Sequence, residues 1–384
     1  MHLLLPTAFG LESVVAREAR SLGFESVRSE NSRVIVETDD PLAIPRLNVG
    51  MRTASRIQIL VARFPCTDFG TLFDTIAALP WEEGIDRRGR FPVAGRCTRS
   101  QLSSEPDAQR LVKKAIATRL SGSSEGVCPE DGATYPVRIQ IDRDEALVTI
   151  DTTGDGLHRR GYRDAPGTAA LRQTLAASLV QLSHWRPGRV LVDPFCGTGT
   201  ILIEAALIAA GRAPGLRRTF VSEDWPRLPL ADRHPSLLWS AARDEAESQR
   251  TSVQPGLIQG FDSDPGQLAI ARRSIAAADL DGLVTVEQRD VRDLYDGREY
   301  GCIVTNPPYG ERLDTGTRSR LDSLYQAFAQ QVDTMPTWGT FVLTAYDALE
   351  STFGRTADRR RNLYNGPLAC TYYQYHGPRP PRTG

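Results

Sequence analysis

The sequence lacks any long apolar run. None of its stretches approaches the ~18 consecutive apolar residues that a membrane-spanning helix needs. The N-terminal Met1–Leu5 run has no basic region before it and is cut short by Pro6, so we expect a strand there and not a secretory signal. Hydrophobic residues make up 40% and charged residues 24% of the chain, which is typical of a globular protein that does not enter a membrane.

Clustered cysteine and histidine are also missing. The five histidines lie far apart, and the cysteines stand singly, which excludes the paired spacing of zinc sites and the density of disulfide scaffolds. We therefore expect no metal and a reduced, cytoplasmic location. The six cysteines are Cys66, Cys97, Cys128, Cys196, Cys302 and Cys370.

An excess of positive charge is absent as well, since the formal net charge is −1. This excludes a uniformly basic nucleic-acid binder, and any such role must depend on a local cluster. Nine basic residues lie between Arg87 and Arg119, and they include the two lysines of the chain, Lys113 and Lys114. The Gln109–Lys114 run is predicted either to contact phosphates or to be the solvated face of an amphipathic helix.

The pattern of apolar residues divides the chain into successive regions. Residues 1–64 alternate in a strand-helix-strand-strand-helix-strand order, which predicts a small ferredoxin-like domain. The pattern over residues 65–152 indicates a mixed α/β module, and the glycine-rich residues 153–167 are predicted to be a linker.

Residues 168–384 alternate helix and strand, beginning with a predicted helix at Thr168–Leu182. Such alternation predicts a parallel sheet covered by helices on both faces. Residues 212–255, rich in Arg, Pro and Trp, interrupt the alternation and are predicted to be an insertion.

A glycine-rich loop follows the first strand of this C-terminal region. The predicted strand Arg189–Asp193 runs into Pro194–Gly199, and an apolar helix begins at Thr200. In a parallel sheet this turn binds nucleotide-like ligands, because backbone approaches closely at glycine and a helix N-terminus favours negative groups. Leu202 replaces the third glycine of the dinucleotide pattern, and no P-loop lysine follows, so both pyrophosphate ligands are disfavoured.

Asp193 at the strand end would repel a phosphate but attract an ammonium, which favours a zwitterionic ligand such as S-adenosylmethionine (SAM). Asp262 ends the next strand, where an acidic residue binds ribose hydroxyls or caps the following helix, two compatible roles. Asp290 is a candidate for the adenine amino group or a plain surface aspartate. The predicted cofactor-binding residues are Asp193, Phe195, Cys196, Gly197, Thr198, Gly199, Thr200, Asp262, Ser263, Asp290 and Asn306.

A second turn, Asn306–Gly310, follows a buried strand that ends at Thr305. Two prolines make it rigid. If Asn306 Oδ1 and the Pro307 carbonyl accept the hydrogens of a base amine, the lone pair of that nitrogen is directed at a methyl donor, and no strong base is needed. Tyr309 offers a face for a base that has left its stack. The predicted catalytic residues are Asn306, Pro307, Pro308 and Tyr309.

Together, Asp193-Pro-Phe-Cys-Gly-Thr-Gly-Thr200 and Asn306-Pro-Pro-Tyr-Gly-Glu-Arg312 resemble the class I amino-methyltransferases of nucleic acid bases. The whole chain resembles the THUMP-domain RNA methyltransferases, in particular the bacterial large-subunit rRNA guanine-N2 enzymes. The stretches Asp151–Arg163 and Arg361-Asn-Leu-Tyr-Asn-Gly366 match characteristic segments of that family.

The resemblance implies a Rossmann-like, seven-stranded class I methyltransferase domain, preceded by a ferredoxin-like plus THUMP α+β module that holds RNA. It implies that Gly339–Ala345 and Ala369–His376 form a final antiparallel hairpin and that Asn306–Tyr309 receives the base. The residues expected to contact RNA are Arg90, Arg110, Lys113, Lys114 and Arg163.

The expected activity is methylation of guanine N2 in structured RNA, with the base flipped into the pocket. Adenine or cytosine methylation on DNA, or on another RNA such as tRNA, stays open, because the Asn-Pro-Pro-Tyr turn does not specify the base. A non-catalytic RNA-binding assembly factor and, more remotely, a dinucleotide dehydrogenase also stay open. The oligomeric state is not predicted.

Overall fold

A computed structural model describes residues 1–123, 126–163, 171–309 and 315–381 of the chain. These form two compact units, each built from separate stretches of sequence. The first unit comprises residues 1–7, 15–157 and 218–246, and the second comprises residues 8–14, 158–217 and 247–384. None of the helices in the described ranges is both long enough and apolar enough to cross a bilayer.

The first part of the chain forms seven strands and five helices among the described residues. They are β1 (His2–Pro6), α1 (Glu12–Ser21), β2 (Val27–Glu30), β3 (Arg33–Glu37), α2 (Ala43–Gly50), β4 (Gln58–Pro65), α3 (Phe69–Ala78), α4 (Trp81–Gly84), β5 (Val93–Thr98), α5 (Glu105–Ser121), β6 (Val137–Asp142) and β7 (Glu145–Asp151). The strands make one sheet in the order β2-β3-β1-β4-β7-β6-β5. The two N-terminal regions predicted from sequence therefore share a continuous sheet, joined where β4 pairs antiparallel with β7.

Local signals explain the helices of this unit. The Asp68 side chain accepts a hydrogen bond from the Thr71 N–H at the start of α3, and Ser104 caps α5 in the same way through Asp107 N–H. Gly122 ends α5 in the left-handed conformation, with φ at 66°. These are the residue types that favour helix ends, so the bounds of α5 follow from its sequence.

From residue 158 onward the described elements follow in this order: α6 (Gln173–Leu182), β8 (Leu191–Asp193), α7 (Thr200–Ala209), α8 (Pro235–Ser248), β9 (Ile258–Asp262), α9 (Pro265–Ala277), β10 (Val284–Gln288), β11 (Cys302–Thr305), α10 (Thr315–Asp333), β12 (Gly339–Thr344), α11 (Leu349–Thr352), β13 (Arg359–Asn365) and β14 (Leu368–Tyr375). The sheet of the second unit has the order β10-β9-β8-β11-β12-β14-β13. Its first five strands are parallel, and β14 runs antiparallel to both neighbours.

Both faces of this sheet are buried. On β11, Cys302 and Val304 join one hydrophobic core while Ile303 joins the other. Phe341 and Val342 divide in the same way on β12. Alternate residues thus enter opposite cores, as a sheet covered by helices on both sides requires. The predicted fold class is confirmed, with a seven-stranded sheet in this unit.

The predicted final hairpin is wrong in its partners. Gly339–Thr344 and Leu368–Tyr375 do pair antiparallel, but the hairpin is formed by β13 and β14, and β13 was not predicted. Leu363 is its one fully buried side chain among mostly polar residues, so β13 carries a weak strand pattern.

The predicted insertion, residues 212–255, contains helix α8, and its residues 218–246 belong to the first unit. There the Trp225 ring stacks on Tyr135, with 4.6 Å between centroids, and its Nε1 donates to the Thr134 carbonyl at 2.8 Å. Of the other predicted segments, residues 164–167 of the linker, 168–170 of the first helix and 310–312 of the Asn306–Arg312 motif lie outside the described residues.

Candidate active site

The carboxyl ends of the neighbouring strands β8 and β11 lie side by side at the candidate site. β8 and β11 pair in parallel, so Asp193 and Thr305 lie at the same edge of the sheet. Thr305 Oγ1 donates to Asp193 Oδ1 at 2.6 Å, and both side chains are buried. The glycine loop follows one of these residues and Asn306 follows the other. The structure thus brings together the two predicted segments that methyl transfer requires to be adjacent.

The glycine loop is held against the adjacent strand β9. Cys196 N–H donates to the Phe261 carbonyl, and Gly197 N–H donates to Asp262 Oδ2, both at 2.9 Å. Gly260 lies so close to the loop that an added Cβ would come within 2.9 Å of Cys196 Cβ. Gly199, with φ at 78°, precedes α7, whose first turn has no side-chain cap. The N–H groups in the first turn of α7 therefore remain available to an acceptor.

The carboxylates at this edge differ in their surroundings. Burial raises the pKa of Asp193 to about 7, hydrogen bonds from Thr305 and the Phe195 N–H oppose the rise, and the Asp262 charge adds to it. Asp262 is less buried and accepts through both oxygens, from Gly197 and from Asp264 N–H. Asp264, and not Asp262, caps helix α9, accepting from Gly266 and Gln267 N–H, so the alternative in which Asp262 is the cap is wrong and its ribose role stays a prediction.

Two further predicted cofactor residues make local hydrogen bonds in the described chain. Asp290 accepts from Arg292 N–H and pairs with the Arg292 guanidinium, each at 2.9 Å, so its carboxylate is engaged in its own turn. Ser263 is exposed, and its carbonyl accepts from Gln288. Their assignment to the cofactor stays a prediction.

The Asn306–Tyr309 turn contains a buried polar atom that the described residues leave without a partner. Asn306 Oδ1 is buried and has no hydrogen-bond partner within the described ranges. A buried acceptor without a partner lowers folding stability by about 1–3 kcal/mol. Such an acceptor is typical of a site where a bound ligand donates the missing hydrogen bond. The next two residues are prolines, and the Pro308 carbonyl accepts from Tyr325 Oη at 3.3 Å.

Tyr309 is held by a residue that lies well downstream in the sequence. Asn365, the last residue of β13, donates from Nδ2 to Tyr309 Oη at 2.8 Å. Burial raises the pKa of Tyr309 to about 12, with the Asn365 hydrogen bond opposing the rise, so the phenol is neutral at physiological pH. The Arg361–Gly366 stretch carries part of the family resemblance, but the sequence indicated no role for Asn365. The structure places it at the candidate site.

The Asp151–Arg163 stretch ties separate parts of each unit together. In the first unit the buried Asp151 carboxylate pairs with Arg56 and Arg138. In the second unit Arg160 pairs with Glu204 of α7, and both side chains are almost fully buried.

Among the predicted RNA-contacting residues, Arg163 lies in the second unit, and its side chain contacts the glycine loop. Its Nη2 donates to Thr198 Oγ1 at 3.4 Å and to Thr200 Oγ1. The sequence gave no signal for this contact, because the loop begins about thirty residues downstream of Arg163.

The other four predicted RNA contacts lie on the first unit. Arg90 donates to Thr134, Arg110 pairs with Asp107, and Lys114 is exposed. Lys113 pairs with Glu130 at 2.6 Å and lies 4.1 Å over the Phe91 ring.

A separate basic cavity of about 370 Å³ lies on the sheet of the first unit. It is lined by Arg33, Arg56, Arg96 and Arg138 and by no acidic residue of the described chain. The buried Asp151 neutralises one of these four charges. This cavity could not be predicted from the sequence, because its four arginines lie far apart in the chain.

Three family models match the chain. They are the RlmL ferredoxin-like domain over residues 2–58, the THUMP domain over 66–151, and the RMKL-like methyltransferase domain over 160–374. Among curated relatives, a Bacillus subtilis protein named as an RNA methyltransferase, YpsC, is 43% identical and covers 97% of this chain and 96% of its own length. The ribosomal RNA large subunit methyltransferase K/L of Vibrio campbellii is 33% identical over 97% of this chain, which spans about half of that protein (53%).

Two solved structures match nearly the full length. A Listeria monocytogenes protein described as a predicted N6-adenine-specific DNA methylase is 42% identical, with a TM-score of 0.90, and the match covers 98% of this chain and 96% of that one. The methyltransferase SMU.472, complexed with SAH, is 36% identical with a TM-score of 0.90, and the match covers 99% and 98% of the two chains.

Proposed function

Because this chain belongs to the RMKL-like methyltransferase family, a family of SAM-dependent RNA methyltransferases, we propose that it methylates the exocyclic N2 of a guanine in structured RNA, with large-subunit rRNA as the substrate. The observation that carries the proposal is that Asn306 Oδ1 is buried and has no partner among the described residues, one residue beyond the hydrogen bond that joins β11 to β8. A base amine supplies the hydrogen that this acceptor lacks.

The residues at the strand ends fit SAM. Asp193 offers a carboxylate to the ammonium, Asp262 offers one to the ribose hydroxyls, and the uncapped start of α7 offers N–H groups to the carboxylate. When bound there, the sulfonium supplies an electrophilic methyl group.

The chain's own residues orient the nucleophile. Asn306 Oδ1 and the Pro307 carbonyl accept the two hydrogens of the amine, which aims its lone pair and stabilises the positive charge that develops on nitrogen. The rigid Pro307–Pro308 backbone fixes these acceptors before the substrate arrives. Tyr309, held by Asn365, receives the face of the flipped base. The methylated nitrogen is strongly acidic and loses one of its hydrogens to solvent as a proton, so the proposal includes no metal and no strong general base.

RNA is the proposed macromolecular partner, and its phosphates are held by the first unit. The cavity lined by Arg33, Arg56, Arg96 and Arg138 carries excess positive charge, which suits a phosphate backbone. A THUMP model matches this part of the chain, and the curated relatives are named for RNA or rRNA. The proposed location is the cytoplasm.

The Listeria relative, described as a DNA methylase, keeps adenine methylation of DNA as a second candidate. Purified protein is incubated with methyl-labelled SAM and, separately, with unmodified rRNA, tRNA and DNA, and the digested nucleosides are identified by mass spectrometry. We expect N2-methylguanosine in rRNA alone. N6-methyladenine in DNA would establish the second candidate, label in tRNA would change the substrate, and SAM binding without label in any of them would indicate a non-catalytic factor.

A further inference from the structure

The positively charged side chain of Arg163 contacts the glycine loop, although Arg163 lies outside the strands of the sheet. Its Nη2 donates to Thr198 Oγ1 and Thr200 Oγ1, and within the described ranges Nη1 makes one long hydrogen bond, 3.5 Å, to the Leu171 carbonyl. Thr200 is the first residue of α7 and is buried. The guanidinium therefore lies beside the uncapped start of that helix.

The guanidinium has hydrogen-bonding capacity left over. Arg163 Nε is buried and has no hydrogen-bond partner in the described chain. No carboxylate of a described residue lies within 4.0 Å of this side chain. An arginine has five N–H donors and no acceptor, so hydroxyl contacts alone leave it short of a counter-ion.

The two threonine hydroxyls point to the same class of ligand. Each oxygen accepts from Arg163, and the two hydroxyls lie 3.4 Å apart, where one donates to the other, so one hydroxyl hydrogen is left to donate outward. Guanidinium, hydroxyls and first-turn N–H groups thus form a set of donors only, and an anion with two oxygens complements such a set.

We propose that Arg163 binds the carboxylate of the cofactor's amino-acid moiety. Asp193 and Asp262, at the strand ends, supply the negative groups for the ammonium and the ribose, so the loop presents charges of both signs to a zwitterion. Arg163 is then a cofactor-binding residue and not an RNA contact. This inference depends on SAM dependence alone and is independent of which base is methylated.

The first experiment uses the unaltered protein and two ligands that differ by one group. S-adenosylhomocysteine and its decarboxylated analogue, S-adenosyl-3-thiopropylamine, share the adenosine, the thioether and the ammonium. We expect calorimetry to show binding of S-adenosylhomocysteine at least about tenfold tighter, as one charge-assisted hydrogen bond to the carboxylate warrants. Equal affinity for the two ligands overturns the proposal without any variant.

The second experiment assigns the difference to Arg163. In Arg163→Gln, which keeps an amide donor for the loop hydroxyls, we expect the preference for the carboxylate ligand to fall to within about threefold while the affinity for the decarboxylated analogue stays unchanged. Arg163→Ala should behave in the same way, and Arg273→Ala, which removes an exposed arginine of α9, should keep the full preference. Equal weakening of both ligands in Arg163→Gln would make the residue a structural tie of the loop, which contradicts the proposal.

Discussion

At the scale of single residues, the site is built from acceptors placed in advance. Asn306 Oδ1 is buried and unpartnered among the described residues, and Thr305 before it is fixed by the Asp193 carboxylate. An acceptor held in this way loses no reorganisation energy when the amine arrives. Rate enhancement then depends on the position of this oxygen more than on proton transfer.

Replacement of that oxygen tests its role. In Asn306→Ala we expect kcat to fall by about a hundredfold or more, the range for loss of one preorganised hydrogen-bonding group, with little change in the affinity for S-adenosylhomocysteine. Steady-state kinetics on RNA and calorimetry measure the two quantities. Asn362→Ala, an exposed asparagine of β13, is the matched control. A kcat within threefold of the unaltered protein would remove Asn306 from the chemistry.

Cofactor binding should depend on pH through Asp193. Its pKa is raised to about 7 by burial, so the carboxyl group is largely protonated below that pH. An ammonium ligand requires the ionised form, and the affinity should fall as the pH decreases below 7, by up to about tenfold per unit. Calorimetry of S-adenosylhomocysteine between about pH 5.5 and 8.5, in steps of about half a unit, follows this slope. Asp193→Asn should bind more weakly at high pH and lose the slope, and a flat profile in the unaltered protein would show that Asp193 does not titrate with binding.

Contiguous residues made much of the site predictable. The glycine loop and the Asn-Pro-Pro-Tyr turn are each a single stretch, and each follows a recognisable strand, so their meeting at one sheet edge follows from parallel topology. The contacts of Arg163 with the glycine loop and of Asn365 with Tyr309 were not predicted, because they join positions whose proximity depends on the whole fold.

At the scale of elements, the β13–β14 hairpin supports the catalytic turn. β13 is an edge strand that pairs only with β14 among the described strands, and Asn365 at its end holds Tyr309. The hairpin was predicted with wrong partners because β13 has few apolar residues, and an edge strand needs few.

The hydrogen bond between Asn365 and Tyr309 should matter for the rate and not for folding. We expect Asn365→Ala to lower kcat/KM about three- to tenfold, which is the loss of roughly one neutral hydrogen bond. Tyr309→Phe removes the same bond, so the double variant should be no worse than the more impaired single variant. Tyr364→Phe, at a half-exposed tyrosine next to Asn365, serves as the control. Strictly additive losses would mean that the two side chains act separately.

At the scale of the whole molecule, charge is distributed unevenly although the net charge is only −1. The first unit collects four arginines around one cavity, and no acidic residue of the described chain lines it. Long-range attraction of a polyanion depends on such local excess and not on the overall sum.

The salt dependence of RNA binding distinguishes this cavity from helix α5. For Arg33→Ala and Arg96→Ala we expect weaker binding and, for each, a salt slope smaller by about one counterion. Lys114→Ala, on the exposed face of α5, should change the slope by less. Fluorescence anisotropy with one RNA fragment over a series of salt concentrations provides the slopes. The reverse order of effects would move the RNA-binding surface to α5.

The number and order of modules followed from sequence periodicity, but their merging did not. Strand pairing between β4 and β7 makes one sheet from two predicted regions, and nothing in local pattern specifies which strand edges meet. The insertion behaved similarly. The position of its Trp225 depends on contacts with Thr134 and Tyr135, which lie far upstream in the sequence.

The two units are interleaved along the chain, and this limits how the protein can be taken apart or recombined. Residues 218–246 complete the first unit, while Leu11 and Val14 pack in a core of the second. A cut at residue 157 would therefore leave each fragment missing pieces that the other carries. Recombination between genes at that point would separate the same pieces, so the stretches that build the two units are expected to be inherited together.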